Sequence, residues 1–305
     1  MSPTIFVVGA TGTLGKALAL DLRKIDWNVH TTVRDPASSA AKELASAGVK
    51  LFAGSWDDEA VLRDAIAGCE GLFLNLVPNF TDAEADVRQG KSLIAIAKAA
   101  GVKHVVHSTS ITEPIAKRFE PDNPVAIFLN NKTAVENIAR AAGFEAYTIL
   151  RPATFMANWL APKVYFMHPG VTETGTFKTG WRPDTVVPFV DEHDVAAFAI
   201  AAFKDPSRFR GQDIAVASGL YTAEETLKLL SQATGRQIKA DYLSNEDLRT
   251  NYKDNPILQS QLETRTMSDH YDMDDIRKWG MPLHSFQEYL EREKAIVEQT
   301  YNQHQ

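Results

Sequence analysis

The 305-residue chain contains a single cysteine, Cys69. One thiol excludes an internal disulfide and suits a reducing compartment, and Cys69 is read as a small packed apolar residue rather than a reactive group. No apolar run approaches the roughly 18 residues that a membrane-spanning helix needs. The N-terminus also lacks the basic stretch and long apolar segment of a secretory signal. A soluble, cytoplasmic protein with no membrane partner is expected. Positive charge is in deficit: 32 Lys and Arg against 39 Asp and Glu leave a formal net charge of −7. That balance argues against direct binding along a nucleic-acid backbone. Repeats of short period, low-complexity tracts, zinc-ligand spacings, P-loops and nucleophile elbows are all missing. His104 and His107 lie three apart on an expected strand and point to opposite faces, so no metal is expected there.

What the chain does have is an ordered start. Ile5, Phe6, Val7 and Val8 form an unbroken apolar run, as expected of a strand covered on both faces. Gly9, Gly12 and Gly15 follow, and Leu14, Leu18 and Leu22 then recur at helical spacing. Strand, glycine turn and helix together suit a pyrophosphate. Gly9 turns the chain, Gly12 admits the phosphates to the backbone, and Gly15 lets helix and strand close up. The unpaired N–H groups at the helix start face the anion. Gly9, Thr11, Gly12, Thr13, Leu14 and Gly15 are therefore the expected phosphate-binding residues of a dinucleotide site.

Alternation of strands and helices continues to residue 152. Strands are expected over 27–33, 49–53, 71–77, 104–107 and 146–150, with helices over 36–47, 57–67, 82–100 and 125–142. Asp57 or Asp58 is the N-cap of the second of these. Six strands alternating with helices predict an α/β fold with a doubly wound parallel sheet. After residue 152 the pattern breaks into an aromatic, Gly- and Pro-rich segment (153–188). A short strand is expected at 186–190, an alanine-rich helix capped by Asp194, and a strand at 213–217. Helices are expected over 223–234, 245–252, 273–279 and 285–301. The expected organisation is a dinucleotide-binding core over 1–152, with elements from about 186–217 returning to it. Residues 153–185 and 218–305 would form a smaller, mostly helical lobe that takes substrate or a partner. Phe155, Met156, Trp159, Phe166, Met167 and Trp181 either line an apolar substrate pocket or pack as core. An aromatic pocket would suit a small hydrophobic carbonyl or enone.

Dinucleotide sites commonly place an acid at the end of the second strand to hold the adenosine ribose. Here the strand ends Thr31-Thr32-Val33-Arg34-Asp35, with a guanidinium at its tip. Arg34 can pair with a 2′-phosphate that an acid would repel, so NADP(H) is expected over NAD(H).

Gly-Ala-Thr-Gly-Thr-Leu-Gly, the Val-Arg-Asp after the second strand and the Ile-Leu-Arg-Pro after the sixth together resemble the NmrA-like family. That family belongs to the atypical, extended-type short-chain dehydrogenase/reductases. The resemblance runs from Thr4 to about Gly235 and implies a Rossmann-like core with a small C-terminal lobe. It also implies that Asn75, Val77, Pro78, Ser108, Ser110, Pro152, Thr154 and Phe155 neighbour the nicotinamide half of the cofactor. Relatives carry an acid after the glycine that ends the third strand. Here Gly54 is followed by Ser55, and Trp56 and Asp57 are left to border the adenine.

Ordinary members of that superfamily carry a tyrosine four residues before a lysine on the helix after the fifth strand. The tyrosine exchanges a proton with the substrate, and the lysine binds the ribose and lowers the tyrosine's pKa. This chain has Phe128 and Lys132. The spacing puts both on one helix face, but a phenyl ring carries no proton. Three readings stay open. Lys132 serves as both cofactor ligand and proton handler, as in isoflavone-reductase-like enzymes, with Phe128 against the substrate. Alternatively another group supplies the proton, the candidates being Thr109, Ser110, His107 and Tyr165. In the third reading no redox chemistry occurs, and the protein is an NADP(H) sensor acting through a protein partner. A cofactor-associated isomerase is a further alternative.

Overall fold

The computed structural model describes residues 2–77, 79, 82–251 and 255–302. Two compact units make up the chain, Met1–Arg151 with Val195–Ile214, and Pro152–Asp194 with Ala215–Gln305.

The first unit is built on β1 (Thr4–Val7), α1 (Thr13–Lys24), β2 (Asn28–Val33), α2 (Ser39–Ser46), β3 (Lys50–Ala53), α3 (Glu59–Ile66), β4 (Gly71–Leu74), α4 (Ala85–Ala99), β5 (His104–Ser108), α5 (Glu113–Ala116), α6 (Pro124–Ala141) and β6 (Ala146–Pro152). Six strands pair in parallel. With a later strand at 213–216 they form a seven-stranded sheet whose order places β3, β2 and β1 on one side of β4, β5 and β6. The winding direction reverses between β1 and β4, where ligands of such sheets bind at the carboxyl ends.

The local reasons are visible in the sequence. Phe6, Val7 and Val8 are fully buried, and α1 buries Leu14, Leu18 and Leu22 on one stripe. Of the two candidate caps, Asp58 takes the role, accepting from Val61 N–H at 3.1 Å. Helix α4 begins three residues later than expected, because Asp82 is engaged in a turn, its Oδ1 accepting from Glu84 N–H. Asn123 caps α6 by accepting from Val125 N–H at 2.8 Å, with Pro124 at the first helical position.

The second unit contains β7 (Thr154–Phe155), a 3₁₀ turn (Met156–Trp159), α7 (Val164–Met167), α8 (Val171–Thr174), β8 (Thr176–Thr179) and β9 (Val186–Val190). Helix α9 (Glu192–Lys204), α10 (Pro206–Phe209) and β10 (Asp213–Val216) follow in sequence, and the stretch Val195–Ile214 belongs to the first unit. After them come β11 (Gly219–Thr222), α11 (Ala223–Thr234), β12 (Lys239–Tyr242), α12 (Asn245–Asn251), α13 (Pro256–Thr264), α14 (Met273–Arg277), α15 (Phe286–Arg292) and α16 (Lys294–Tyr301). Its strands form a three-stranded sheet, β11-β9-β7, and a pair, β12-β8. Trp159, Phe177, Phe189, Phe286, Tyr289 and Tyr301 fill its core.

Three expectations are corrected. Strand 186–190 does not join the large sheet; β9 is the middle strand of the three-stranded one, antiparallel to β11. Asp194 is not a helix cap: α9 starts two residues earlier, and Asp191 Oδ1 accepts from His193 N–H. Asp194 instead accepts from Ser218 Oγ (2.5 Å) and from His284 N–H (2.8 Å). The single helix expected over 285–301 breaks at Glu293 into α15 and α16. No helix among the described residues is long and apolar enough to cross a membrane.

Candidate cofactor and active site

Chemistry in the first unit is assembled where β1, β4 and β5 end. The turn after β1 is held by Gly12 N–H donating to Gly9 carbonyl at 2.9 Å. Gly9 has φ of 74°, in the left-handed region. A Cβ there would stand 3.2 Å from the Asn75 carbonyl oxygen and 3.9 Å from the Trp56 indole. Asn75, just past β4, and Trp56, past β3, thus border the glycine turn. Helix α1 opens at Gly12 with no side-chain cap and no acid in its first turn. Its leading amides are left for an outside anion. A diphosphate fits this donor set.

The tip of β2 fits as well. Arg34 is exposed, and its guanidinium has no ion-pair or hydrogen-bond partner among the described residues. The adjacent Asp35 is turned away, its Oδ1 accepting from Ala37 N–H at 2.8 Å. Asp57 is tied to α4, accepting from Gln89 Nε2 at 2.8 Å and facing Arg88 Nε at 3.4 Å. Val77 is exposed, and Pro78 lies outside the described residues.

At the end of β5, Ser108 is buried and the Ser110 hydroxyl is buried without a partner among the described residues. The Thr109 hydroxyl donates to Glu136 Oε1 at 2.9 Å. Arg151 grips the same carboxylate with two 2.8 Å hydrogen bonds and donates to Ser110 carbonyl at 2.6 Å. Thr109, a candidate proton donor by sequence, is therefore committed to a buried charge cluster that braces the strand end. His107, another sequence candidate, faces Tyr147. Its Nδ1 lies 3.0 Å from the Tyr147 hydroxyl, and burial pushes the ring down to about 3, so it stays neutral.

Lys132 stands on α6 with its Nζ 5.0 Å from the centre of the Phe128 ring, the shared face that the four-residue spacing predicts. The side chain is half-buried, and among the described residues the amine has no hydrogen-bond acceptor. Burial lowers it to about 8, against the opposing pull of Asp86 and Glu136. A phenyl ring offers its negative face to the ammonium but no proton, so the amine is the group at this position that can titrate near neutrality.

The residues expected to meet substrate divide. Met156 and Trp159 are fully enclosed in the core of the second unit, with Trp159 stacked on His168 at 3.9 Å and its carbonyl accepting from Tyr301. Sealed on all sides, they pack rather than line a surface, which corrects the expectation. Tyr165 and Phe166 on α7 are 39% and 55% exposed. Pro152 ends β6, and Thr154 and Phe155 form β7 beside β9. Sequence reasoning missed Asp86, a buried carboxylate on α4, and the partnership of Glu136 with Arg151. The Ile-Leu-Arg-Pro motif did mark Arg151.

An open parallel sheet whose first strand passes through a glycine turn into an uncapped helix defines a Rossmann-type dinucleotide-binding protein. The chain belongs to the NmrA-like family, whose sequence model matches residues 1–293. An NAD(P)H azoreductase of Xenophilus azovorans is 30% identical over 242 residues, 77% of this chain and 75% of that one. A (4-alkanoyl-5-oxo-2,5-dihydrofuran-3-yl)methyl phosphate reductase of Streptomyces griseus is 30% identical over 81% of this chain and 79% of its own length. Among solved structures, NmrA, a negative transcriptional regulator, in complex with NADP has a TM-score of 0.75 at 22% identity. The match covers 98% of this chain and 97% of that one. The triphenylmethane reductase of Citrobacter sp. complexed with NADP(H) has a TM-score of 0.71 at 21% identity, covering 95% and 99%. These two structures share the fold.

Proposed function

We propose that this chain is an NADPH-dependent oxidoreductase that reduces a small hydrophobic carbonyl or enone, with Lys132 doing the work of the usual tyrosine and lysine. The observation that carries the reading is the unpaired, half-buried Lys132 amine beside Phe128, titrating at about 8. Named reductases among the relatives support the reaction class. The amides of Thr13, Leu14 and Gly15 would hold the diphosphate, Arg34 the 2′-phosphate, Trp56 would flank the adenosine half and Asn75 the nicotinamide half. For Val77, Pro78, Ser108, Pro152, Thr154 and Phe155 the support is the family pattern. For Tyr165 and Phe166 as substrate contacts it is their exposed rings.

Bound NADPH supplies a hydride to the substrate carbon. Lys132 supplies the matching proton. An N–H bond of its ammonium breaks, an O–H bond of the reduced product forms, and the amine regains a proton from solvent. One carbonyl, one NADPH and one proton thus give one alcohol and NADP⁺. A lysine donor is charged below its pKa and neutral above it, so kcat/KM is expected to hold at acid pH and fall as the pH rises through about 8.

Arg34 separates the two nicotinamide cofactors. Arg34→Ala is expected to weaken NADPH about 10- to 100-fold, the worth of one or two charge-assisted hydrogen bonds, and to leave NADH unchanged. Calorimetric titration of both cofactors against both proteins measures it, and equal NADPH affinity would end the assignment.

A second reading is favoured by the phenylalanine at the tyrosine's position and by the fold shared with a transcriptional regulator. On it, the chain binds NADP(H) without turnover and signals through a protein partner. Absence of NADPH oxidation with quinones, enones, ketones and azo dyes, alongside tight NADPH binding, would select this reading.

A further inference from the structure

Asp86 is 7% exposed, and one of its carboxylate oxygens has no hydrogen-bond partner among the described residues. A buried acid in that state is costly and calls for a compensating positive charge. It lies on α4, which packs against α6. Both helices return between parallel strands, so they run in the same direction. They come close at Gly90, where a Cβ would stand 2.8 Å from a Val135 methyl. Asp86 is one turn before Gly90 and Lys132 about one turn before Val135, so the two side chains emerge at the same level of the contact. Asn131 Nδ2, donating to Ala83 carbonyl at 2.5 Å, ties α6 to the residues just before α4.

We propose that Asp86 is the positioning residue for Lys132: its unpaired oxygen, across the α4–α6 contact, holds the amine in the protonated form that gives up a proton. The proposal rests on Lys132 being the donor and extends that reading to a residue on a different helix. Other charges near the amine are otherwise occupied. Glu136, one turn further along α6, is neutralised by Arg151 and accepts from Thr109. His107 on β5 is neutral. On the Asp86 side, Asn79 contributes a backbone hydrogen bond, and Asp82 is half-exposed and paired with Arg88. Burial raises Asp86, with the Asn79 hydrogen bond and the nearby ammonium opposing it, and the Asp86 charge in turn favours the protonated amine.

Competitive acetylation tests this without turnover. The rate at which acetic anhydride labels Lys132 in the full chain, followed by peptide mass spectrometry across pH, reports the amine's midpoint. Wild type is expected near 8. Asp86→Asn is expected to lower the proton affinity of Lys132 on the order of tenfold, and Asp86→Glu to restore most of it. Asp86→Ser replaces the amide variant should that one fail to fold. An unmoved midpoint in a folded, charge-free variant overturns the proposal. Failure of the underlying reading looks different. If the midpoint moves but Lys132→Met still reduces substrate, the pairing stands and the proton-donor assignment falls. If Lys132→Met is inactive and the midpoint is unmoved, Asp86 alone is dismissed.

Discussion

Lys132→Met is expected to lower kcat/KM for NADPH-dependent reduction by about 10²- to 10⁴-fold, the usual contribution of a positioned acid. The fold should survive at some cost in stability. Burial disfavours the ammonium, but its removal leaves the buried Asp86 carboxylate without a nearby positive charge. A cooperative melt somewhat below wild type, with NADPH binding retained and turnover lost, would separate chemistry from stability. The pH profile offers a check that mere damage would not reproduce: the fall through about 8 disappears with the amine. Lys132→Arg keeps a charge but cannot release a proton near neutrality, so it should bind cofactor and remain slow. Turnover in Lys132→Met within a fewfold of wild type would remove the amine from the reaction.

Gly15→Ala is expected to be the most damaging single-methyl change in the first unit. Its Cβ would stand 2.2 Å from the Gly9 carbonyl oxygen, 2.6 Å from the Gly9 carbonyl carbon and 2.9 Å from the Ala10 Cα. All three are backbone atoms of the turn itself, so no side chain can swing aside. Overpacking against rigid neighbours costs about 1–3 kcal/mol and sometimes more. At 3 kcal/mol the melting temperature drops by about 6–12 °C for a unit of this size. Gly12→Ala makes the informative contrast. A Cβ there meets only the Gly9 carbonyl oxygen, at an ordinary 3.4 Å. The Gly12 variant should therefore melt near wild type yet lose NADPH affinity, because the methyl intrudes where phosphates approach the backbone. Equal melting of the Gly15 and Gly12 variants would contradict this division.

Local signals carried the first unit. An apolar run, a glycine turn and a leucine stripe are each short-range patterns, and β1, the turn and α1 follow from them directly. The Phe128–Lys132 face was readable for the same reason, whereas α6 starts one residue before the expected 125, at Pro124 behind its Asn123 cap. The second unit yields less to such reading. Strands β7, β8, β11 and β12 have two to four residues each, and β11 and β12 are mostly half-exposed. Strands this short owe their conformation to neighbours distant in sequence. The break at Glu293 carries no glycine or proline to announce it. Asp194 looked like a cap because an acid before an alanine-rich run commonly is one, but Ser218 and His284 claim both its oxygens. Asp86 was invisible for a different reason: nothing within α4 shows that Gly90 lets α6 approach. Met156 and Trp159 have the composition of a binding pocket, and only their burial shows that they belong to a core.

The bare start of α1 also bears on how long the molecule survives in a cell. Peptide dipoles there converge on a site that the chain itself leaves without a counter-charge. An anionic guest that occupies it favours the folded ensemble by mass action, about 2.7 kcal/mol when present at a hundred times its dissociation constant. Starved of the dinucleotide, the polypeptide would open more often and meet proteases more often. Its steady-state abundance would then follow the supply of the dinucleotide it binds.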